Sequence, residues 1–245
     1  MGLLTTEHSR SAYLADLIVY GAASVALASL LAIAGPRERW LEIVSLTVLG
    51  LLAWTIVEYG LHRFVLHRLQ PFRGWHAEHH RRPRALIGTP TVLSAALIAA
   101  LVFLPALLLA DLWRASALTF GLLTGYLVYA VVHHATHHWR AGGAWARRRK
   151  RAHALHHSPV GPRGHYGVTS AFWDVVFRSN GKGGAAAAAA PNALQVEVWE
   201  DEGGALAGRR PPADVYGRRR NVRRWRASLF HTCASARAPP RSAIR

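Results

Sequence analysis

Four long apolar runs dominate this chain, and each is close to bilayer length. The first extends from Leu14 to Ile33, broken only by Asp16 near its start, and the second from Leu41 to Tyr59, with Glu42 and Glu58 confined to its ends. The third, Ala85 to Ala110, and the fourth, Ala115 to Val132, contain no charge. A helix rises ~1.5 Å per residue, so ~20 apolar residues cross ~30 Å of hydrocarbon. Strands are excluded, because the runs are too long and do not alternate. A soluble bundle would need amphipathic helices to cover these runs, and none is legible. The expected fold is all-α: a polytopic membrane protein with four transmembrane helices and a cytosolic, histidine-rich helical cap.

Three regions follow: an N-terminal segment 1–13, a membrane domain 14–178, and a tail 179–245. Ala32-Ile33-Ala34 resembles a signal-peptide cleavage site. The apolar run before it is longer than a usual signal, and Glu7 offsets Arg10 in its leader, so the run is read as a retained span. The tail is rich in Ala, Gly, Pro and Arg and is expected to be largely disordered. After Glu202, eleven arginines stand against one acid, Asp214, so much of the net charge of +17 belongs there. No nucleic-acid motif accompanies that charge, and no nucleic-acid partner is expected. The basic clusters suit anionic lipid heads, or the tail is an extension without function.

Orientation follows from the loops. Six arginines between Leu61 and Arg84 face one acid, Glu78, and a second basic run, Arg147 to Arg151, follows the fourth span. The positive-inside tendency places both segments and both termini in the cytoplasm. The membrane would be the inner membrane of a bacterium or the endoplasmic reticulum of a eukaryote.

Those basic segments also carry the histidines. Twelve of fifteen lie between His62 and His157, in four groups: His62 and His67; His76, His79 and His80; His133, His134, His137 and His138; His153, His156 and His157. Residues at i, i+3 and i+4 share a helix face, so His76, His79 and His80 are expected to point at one locus, and His153, His156 and His157 at another. His133 and His137 lie one turn apart, and His134 and His138 offer the same spacing displaced by one residue. His62 and His67 are five apart and meet on one face only if the helix end unwinds or bulges. The sole cysteine, Cys233, lies in the tail, so any metal is held by nitrogen or oxygen. Eight to ten imidazoles exceed the needs of one ion, which points to two. His8, His165 and His231 lie outside the pattern. Glu58, Glu78 and Asp174 are candidates to receive imidazole N–H groups, with solvated carboxylates the alternative for Glu58 and Glu78.

The arrangement resembles the fatty acid hydroxylase/sterol desaturase family of membrane di-iron oxygenases. The matching motifs are His62-x4-His67, His76-x-x-His79-His80, a hydrophobic hairpin, His133-x3-His137 and His153-x-x-His156-His157, followed by a stretch from Tyr166 to Phe177. The resemblance implies ten ligands on two irons: His62, His67, His76, His79, His80, His133, His137, His153, His156 and His157. It selects His133 and His137 over their neighbours. It implies hydroxylation of a lipid, a fatty acyl chain first among candidates, using O2 and electrons from a separate electron-transfer protein, because the sequence leaves no room for a fused cytochrome b5 module. No catalytic residue beyond the metal ligands is expected. One departure is Ala130, where family members often carry an acid after the tyrosine that precedes the third group. Zinc could replace iron on purification, since imidazole accepts both. The competing readings are a lipid desaturase, a sterol- or carotenoid-modifying oxygenase and a metal transporter. The transporter is disfavoured by span interiors with little charge.

Overall fold

A computed structural model describes residues 6–158 and 164–181. The chain divides after Ala205, and every described residue belongs to the first unit. The readings made for residues 1–5 and 182–245, including His231, Cys233 and the disordered tail, lie outside the described residues.

The described residues are helical, with no strand among them. Helix α1 is Arg10–Ala34, α2 Trp40–Gly60, α3 Phe72–Arg81, α4 Thr91–Ile98, α5 Leu104–Leu109, α6 Leu112–His138, α7 Ala144–His157 and α8 Phe172–Val176. A π-helical turn, Leu61–Leu66, continues α2, and another, Ala99–Phe103, joins α4 to α5. Four stretches are long and apolar enough to cross a membrane: Arg10–Ala34, Arg37–Leu66, Thr91–Leu109 and Leu112–His138. Their large apolar side chains face outward, among them Ile18, Leu52, Leu101 and Leu108. No residue of Thr91–Leu109 is buried by the protein. Such surfaces are stable in lipid, and the chain is an integral membrane protein.

Lipid supplies no hydrophobic force between spans, so close backbone approach matters. Helices α2 and α6 achieve it through facing glycines. A Cβ on Gly50 would stand 2.2 Å from the Leu118 carbonyl oxygen, and one on Gly121 would stand 1.9 Å from that of Thr47. One turn on, Trp54 covers Gly125, where an added Cβ would lie 2.6 Å from the indole. Helix α1 packs on α6 through Tyr20, whose ring meets Tyr126 edge-on at 4.7 Å.

The third span begins later than the apolar run. Pro90 precedes α4, and the stretch before it pairs with the N-terminal segment: His8 N–H donates to Leu86 O (2.9 Å) and Gly88 N–H to Thr6 O (2.9 Å). The π turn in this span precedes Pro105, which has no N–H to donate to the Leu101 carbonyl. The fourth span runs on past Val132 to His138, so its histidines ride on the last turns of α6. Asp111 caps the opposite end, accepting from the N–H groups of Trp113 (2.9 Å) and Arg114 (3.0 Å). There Arg39 pairs with Glu42 and Asp111, and Arg114 with Glu42. The histidines gather at the other end of the bundle, carried by the end of α2 and its π turn, α3, the end of α6 and α7.

Candidate metal centre

Ten imidazoles converge on two neighbouring loci. His62, His67, His76, His80 and His156 form one group, and His79, His133, His137, His153 and His157 the other. Within each group, one nitrogen per ring lies within 4.8 Å of all the others. These are the ten residues singled out in the sequence. His8, His134, His138 and His165 belong to neither group. His134 and His138 stack on each other (4.4 Å between centroids), with Tyr13 against His134.

The partition corrects one expectation. Neither HxxHH motif serves a single locus. His76 and His80 face the first and His79 the second, whereas His153 and His157 face the second and His156 the first. Successive helical residues turn by about 100°, so i and i+4 diverge by about 40° while i+3 falls about 60° to the other side. The i, i+4 pair shares a locus and the i+3 residue reaches across to the neighbour. His80 and His157, from different loci and different helices, stack in parallel at 4.0 Å.

The π turn solves the His62–His67 spacing. Hydrogen bonding from i to i+5 brings residues five apart over one another, and here it aims both rings at the first locus.

Nitrogen separations test whether these groups suit a metal. In the first locus, Nε2 atoms stand 3.1 Å apart in five pairs: His62–His76, His67–His76, His67–His156, His76–His80 and His80–His156. Hydrogen bonds cannot account for them, because His76 Nε2 faces three nitrogens and an imidazole nitrogen carries one proton or one in-plane lone pair. Metal–imidazole bonds of about 2.0–2.1 Å place adjacent ligand nitrogens about 2.9 Å apart at octahedral angles and about 3.4 Å apart at tetrahedral ones. The separations fall between. In the second locus His137 and His153 approach to 2.7 Å, and both nitrogens of His79, a ring 4% exposed, lack a hydrogen-bond partner. Buried nitrogens left so are unfavourable unless something electropositive fills the gap. The donor set fits two metal ions.

Protonation agrees. Burial, then neighbouring imidazoles, hold His79 at about 4 and His80 and His156 at about 3. The same causes push His76, His153 and His157 well down. Near neutral pH these rings are uncharged, the form that binds metal.

Backbone carbonyls receive the distal N–H groups. His62 Nδ1 donates to Tyr166 O (2.5 Å) and His156 Nδ1 to Gly164 O (2.8 Å), which leaves each Nε2 lone pair facing the first locus. Two buried carboxylates shape the segment carrying those carbonyls. Asp174, 1% exposed, accepts from the N–H groups of Tyr166 (2.9 Å) and Gly167 (2.8 Å) and from the Ser179 hydroxyl (2.7 Å). Glu58, 3% exposed, accepts from the N–H groups of Val168 (2.7 Å) and Thr169 (2.9 Å) and from the Thr169 hydroxyl. Both therefore act on imidazoles through the backbone rather than by contact. Glu78 is the surface alternative: it pairs with Arg81 and Arg82 at the cap exterior. Sequence reasoning missed Ser179, which also meets Tyr59 OH (2.9 Å), and Lys150, buried on α7 with its ammonium donating to Trp139 O (2.5 Å) at the end of α6. Lys150 so joins the two helices that supply most of the second locus. Its only sequence signal was membership of a basic run.

Two cavities adjoin the imidazoles. One, of about 170 Å³, is walled by Trp54, Leu61, Val65, Leu97 and Ile98 and reaches His62. The other, of about 120 Å³, reaches His76, His79 and His133 and is lined also by His8, Tyr13 and Asp16. Leu66, Phe72, Thr89, Tyr126 and Tyr129 border both.

Comparison with known proteins gives concordant matches. The model of the fatty acid hydroxylase family ("Fatty acid hydroxylase") matches residues 47–179. A dihydroceramide fatty acyl 2-hydroxylase of Arabidopsis thaliana is 33% identical over 147 residues, covering 56% of this chain and 60% of its own length. The fatty acid 2-hydroxylase of Rattus norvegicus is 30% identical over 149 residues, 56% of this chain and 39% of its own. The solved hydroxylase domain of full-length scs7p superposes with a TM-score of 0.59 at 27% identity, over 71% of this chain and 67% of that one. The match thus spans about 60% of the plant relative and less of the rat one. The matched region contains every histidine of both loci and both strapping carboxylates, and the chain belongs to the fatty acid hydroxylase family.

Proposed function

We propose that this chain is a membrane-bound lipid hydroxylase with two irons, one at each histidine locus, and that its substrate is a fatty acyl chain. The observation that carries the reading is the pair of five-imidazole loci at one end of a membrane bundle, the first of them reached at His62 by an apolar cavity. His62, His67, His76, His80 and His156 would hold one ion, and His79, His133, His137, His153 and His157 the other. Bound iron would supply the redox chemistry that, with O2, two electrons and two protons, replaces an aliphatic C–H by C–OH and releases one water.

The chain's own residues do the rest. Trp54, Val65, Leu97 and Ile98 hold the acyl chain and exclude water from the reacting carbon. Leu61 and Leu97 are partly exposed on the outer, lipid-facing surface while lining this cavity, which suits sideways entry from the bilayer. Tyr129 lies parallel to His133 at 5.6 Å and fixes that ring's plane. Gly164 and Tyr166 hold the protons on Nδ1 of His156 and His62, so that Nε2 remains the donor.

The basic loops support a cytoplasmic cap, by the positive-inside tendency. Electrons would come from a separate protein. A polar opening beside His67, His80 and His156 is lined by Arg63, Arg68 and Arg73, which suits a donor with an acidic face.

Expression in a host lacking hydroxylated acyl lipids, followed by mass spectrometry under labelled O2, tests the reading. One labelled oxygen per lipid is expected. Lipids short of two hydrogens and carrying no oxygen would replace hydroxylase by desaturase, and unchanged lipids with altered cellular metal would favour a transporter.

A further inference from the structure

Asp16 is an acid within a membrane-spanning helix, seven residues into α1. Carboxylates are disfavoured there unless they face a protein interior or a polar cavity. Asp16 faces the smaller cavity, in whose lining it is the sole carboxylate, alongside His76, His79 and His133. Its Oδ1 is buried without a hydrogen-bond partner. No arginine or lysine pairs with it among the described residues, whose ion pairs lie on the cap exterior and at the far end of the bundle. Thr91 hydrogen-bonds the carboxylate, and His8 and the hydroxyls of Tyr13, Tyr20 and Tyr126 are its other polar neighbours. A buried carboxylate oxygen left without a donor, on a residue lining a cavity that adjoins an apolar one, is complemented by a hydrogen-bond donor at the head of a lipid chain.

We propose that Asp16 is a specificity residue that accepts a hydrogen bond from an N–H or O–H group at the polar end of the acyl substrate and excludes free fatty acids. This inference rests on the lipid-hydroxylase reading. The polar end occupies the smaller cavity, the hydrocarbon runs into the larger one, and the carbon between them lies beside the imidazole loci. A free acid brings a second carboxylate beside Asp16, and two cannot both be ionised in this poorly solvated place, so its binding requires uptake of a proton that an amide's does not. An amide or hydroxyl-bearing lipid presents a donor.

The test is lipid binding by the purified, metal-loaded full chain in phosphatidylcholine nanodiscs. Three probes are used: N-palmitoyl dihydroceramide, its N- and O-methylated analogue, and palmitic acid. Wild type is expected to prefer the unmethylated amide over both others by about tenfold to a hundredfold. Asp16→Ala abolishes the preference over the methylated analogue. Asp16→Asn keeps the side-chain shape and binds palmitic acid about tenfold more tightly than wild type does. Equal affinity of wild type for the methylated and unmethylated amides overturns the inference without recourse to any variant. So does an unchanged preference in both variants. Parallel turnover under labelled O2 separates this from the parent reading. Oxygen inserted into every probe without discrimination removes the role of Asp16 and leaves the hydroxylase. Donor-dependent binding without oxygen insertion removes the hydroxylase and leaves the role of Asp16 in lipid recognition.

Discussion

His62 Nδ1 and the Tyr166 carbonyl meet at 2.5 Å although 104 positions separate the two residues in the chain. That contact fixes which nitrogen of His62 faces the first locus. It exists because Asp174 and Glu58 hold the 164–170 segment against the end of α2. A distant carboxylate therefore sets the tautomer of a ring it does not touch.

Asp174→Asn should expose that dependence. It preserves volume but replaces one of the two accepting oxygens with an amide NH2 that donates, against the N–H of either Tyr166 or Gly167. Loosening partners outside the immediate ligand set typically weakens metal affinity 10–100-fold, and a loss of about tenfold or more is expected at the first locus. Competitive chelation measures it. Unchanged affinity in both loci would show that the segment does not position His62 or His156.

Metal stoichiometry checks the two loci themselves. Protein from iron-replete cells should carry about two ions per chain by elemental analysis. His156→Ala and His153→Ala should each lower the content by one ion or more, whereas His138→Ala, whose ring stacks on His134 outside both groups, should keep both. Wild type with one ion or none would remove the two-metal reading.

Acid should release the cap. His79, His80 and His156 have folded-state values of about 4, 3 and 3, below the ordinary 6.5. An unfolded chain therefore binds protons that the folded one refuses, starting as pH drops below about 6.5. Above that, both forms are neutral and no penalty arises. At pH 5 each fully buried ring contributes up to about 2 kcal/mol of destabilisation, less where a ring is partly solvated. Thermal melting of metal-free protein should fall steeply between pH 7 and pH 5, and metal should blunt the fall. A flat profile would contradict the burial of these rings.

Gly121→Leu should separate α2 from α6. Even a Cβ at this position collides with Thr47 O, and helix backbones cannot yield as a flexible side chain would. Overpacking costs about 1–3 kcal/mol in ordinary cores, and more is expected here. The readout is melting temperature in detergent, with Gly142→Leu, in open space, as the comparison.

The arginines beside the first locus should matter only to a protein donor. Arg68 and Arg73 are exposed at the mouth of the opening. Reversing both to Glu should slow turnover about tenfold or more with an acidic redox protein and leave turnover with a small neutral reductant unchanged. A salt titration of the wild-type rate should show matching screening.

Much of this is legible in the sequence. The spans announced themselves because hydrocarbon tolerates few alternatives to long apolar helices, and the histidines because their spacing repeats. What stayed hidden depended on angles or on distant chain closure. His79 and His80 look alike in sequence and face different loci, since a helix turns about 100° between neighbours. The five-residue spacing of His62 and His67 requires an unwound or bulged helix end, yet no residue within Leu61–Leu66 declares the π turn that supplies it. Ala85 to Pro90 read as the start of a span by hydropathy alone, but they pair instead with the N-terminal segment ahead of α1. The roles of Lys150 and Ser179 arise only when α7 and the 164–181 segment are docked.

The alternation of adjacent histidines between loci makes α3 and α7 into rulers. Each rod carries histidines of both loci, so the spacing of two bound ions would be set by helical pitch rather than by either site's own preference. Neither site could be tuned in isolation, because any slide or twist of α3 shifts His76, His79 and His80 together. A single residue inserted ahead of His79 would turn it by about 100° and trade its assignment with a neighbour's. Point substitutions at apolar wall residues such as Leu97 and Ile98 leave that spacing untouched, while insertions and deletions inside these two helices should be uniformly destructive.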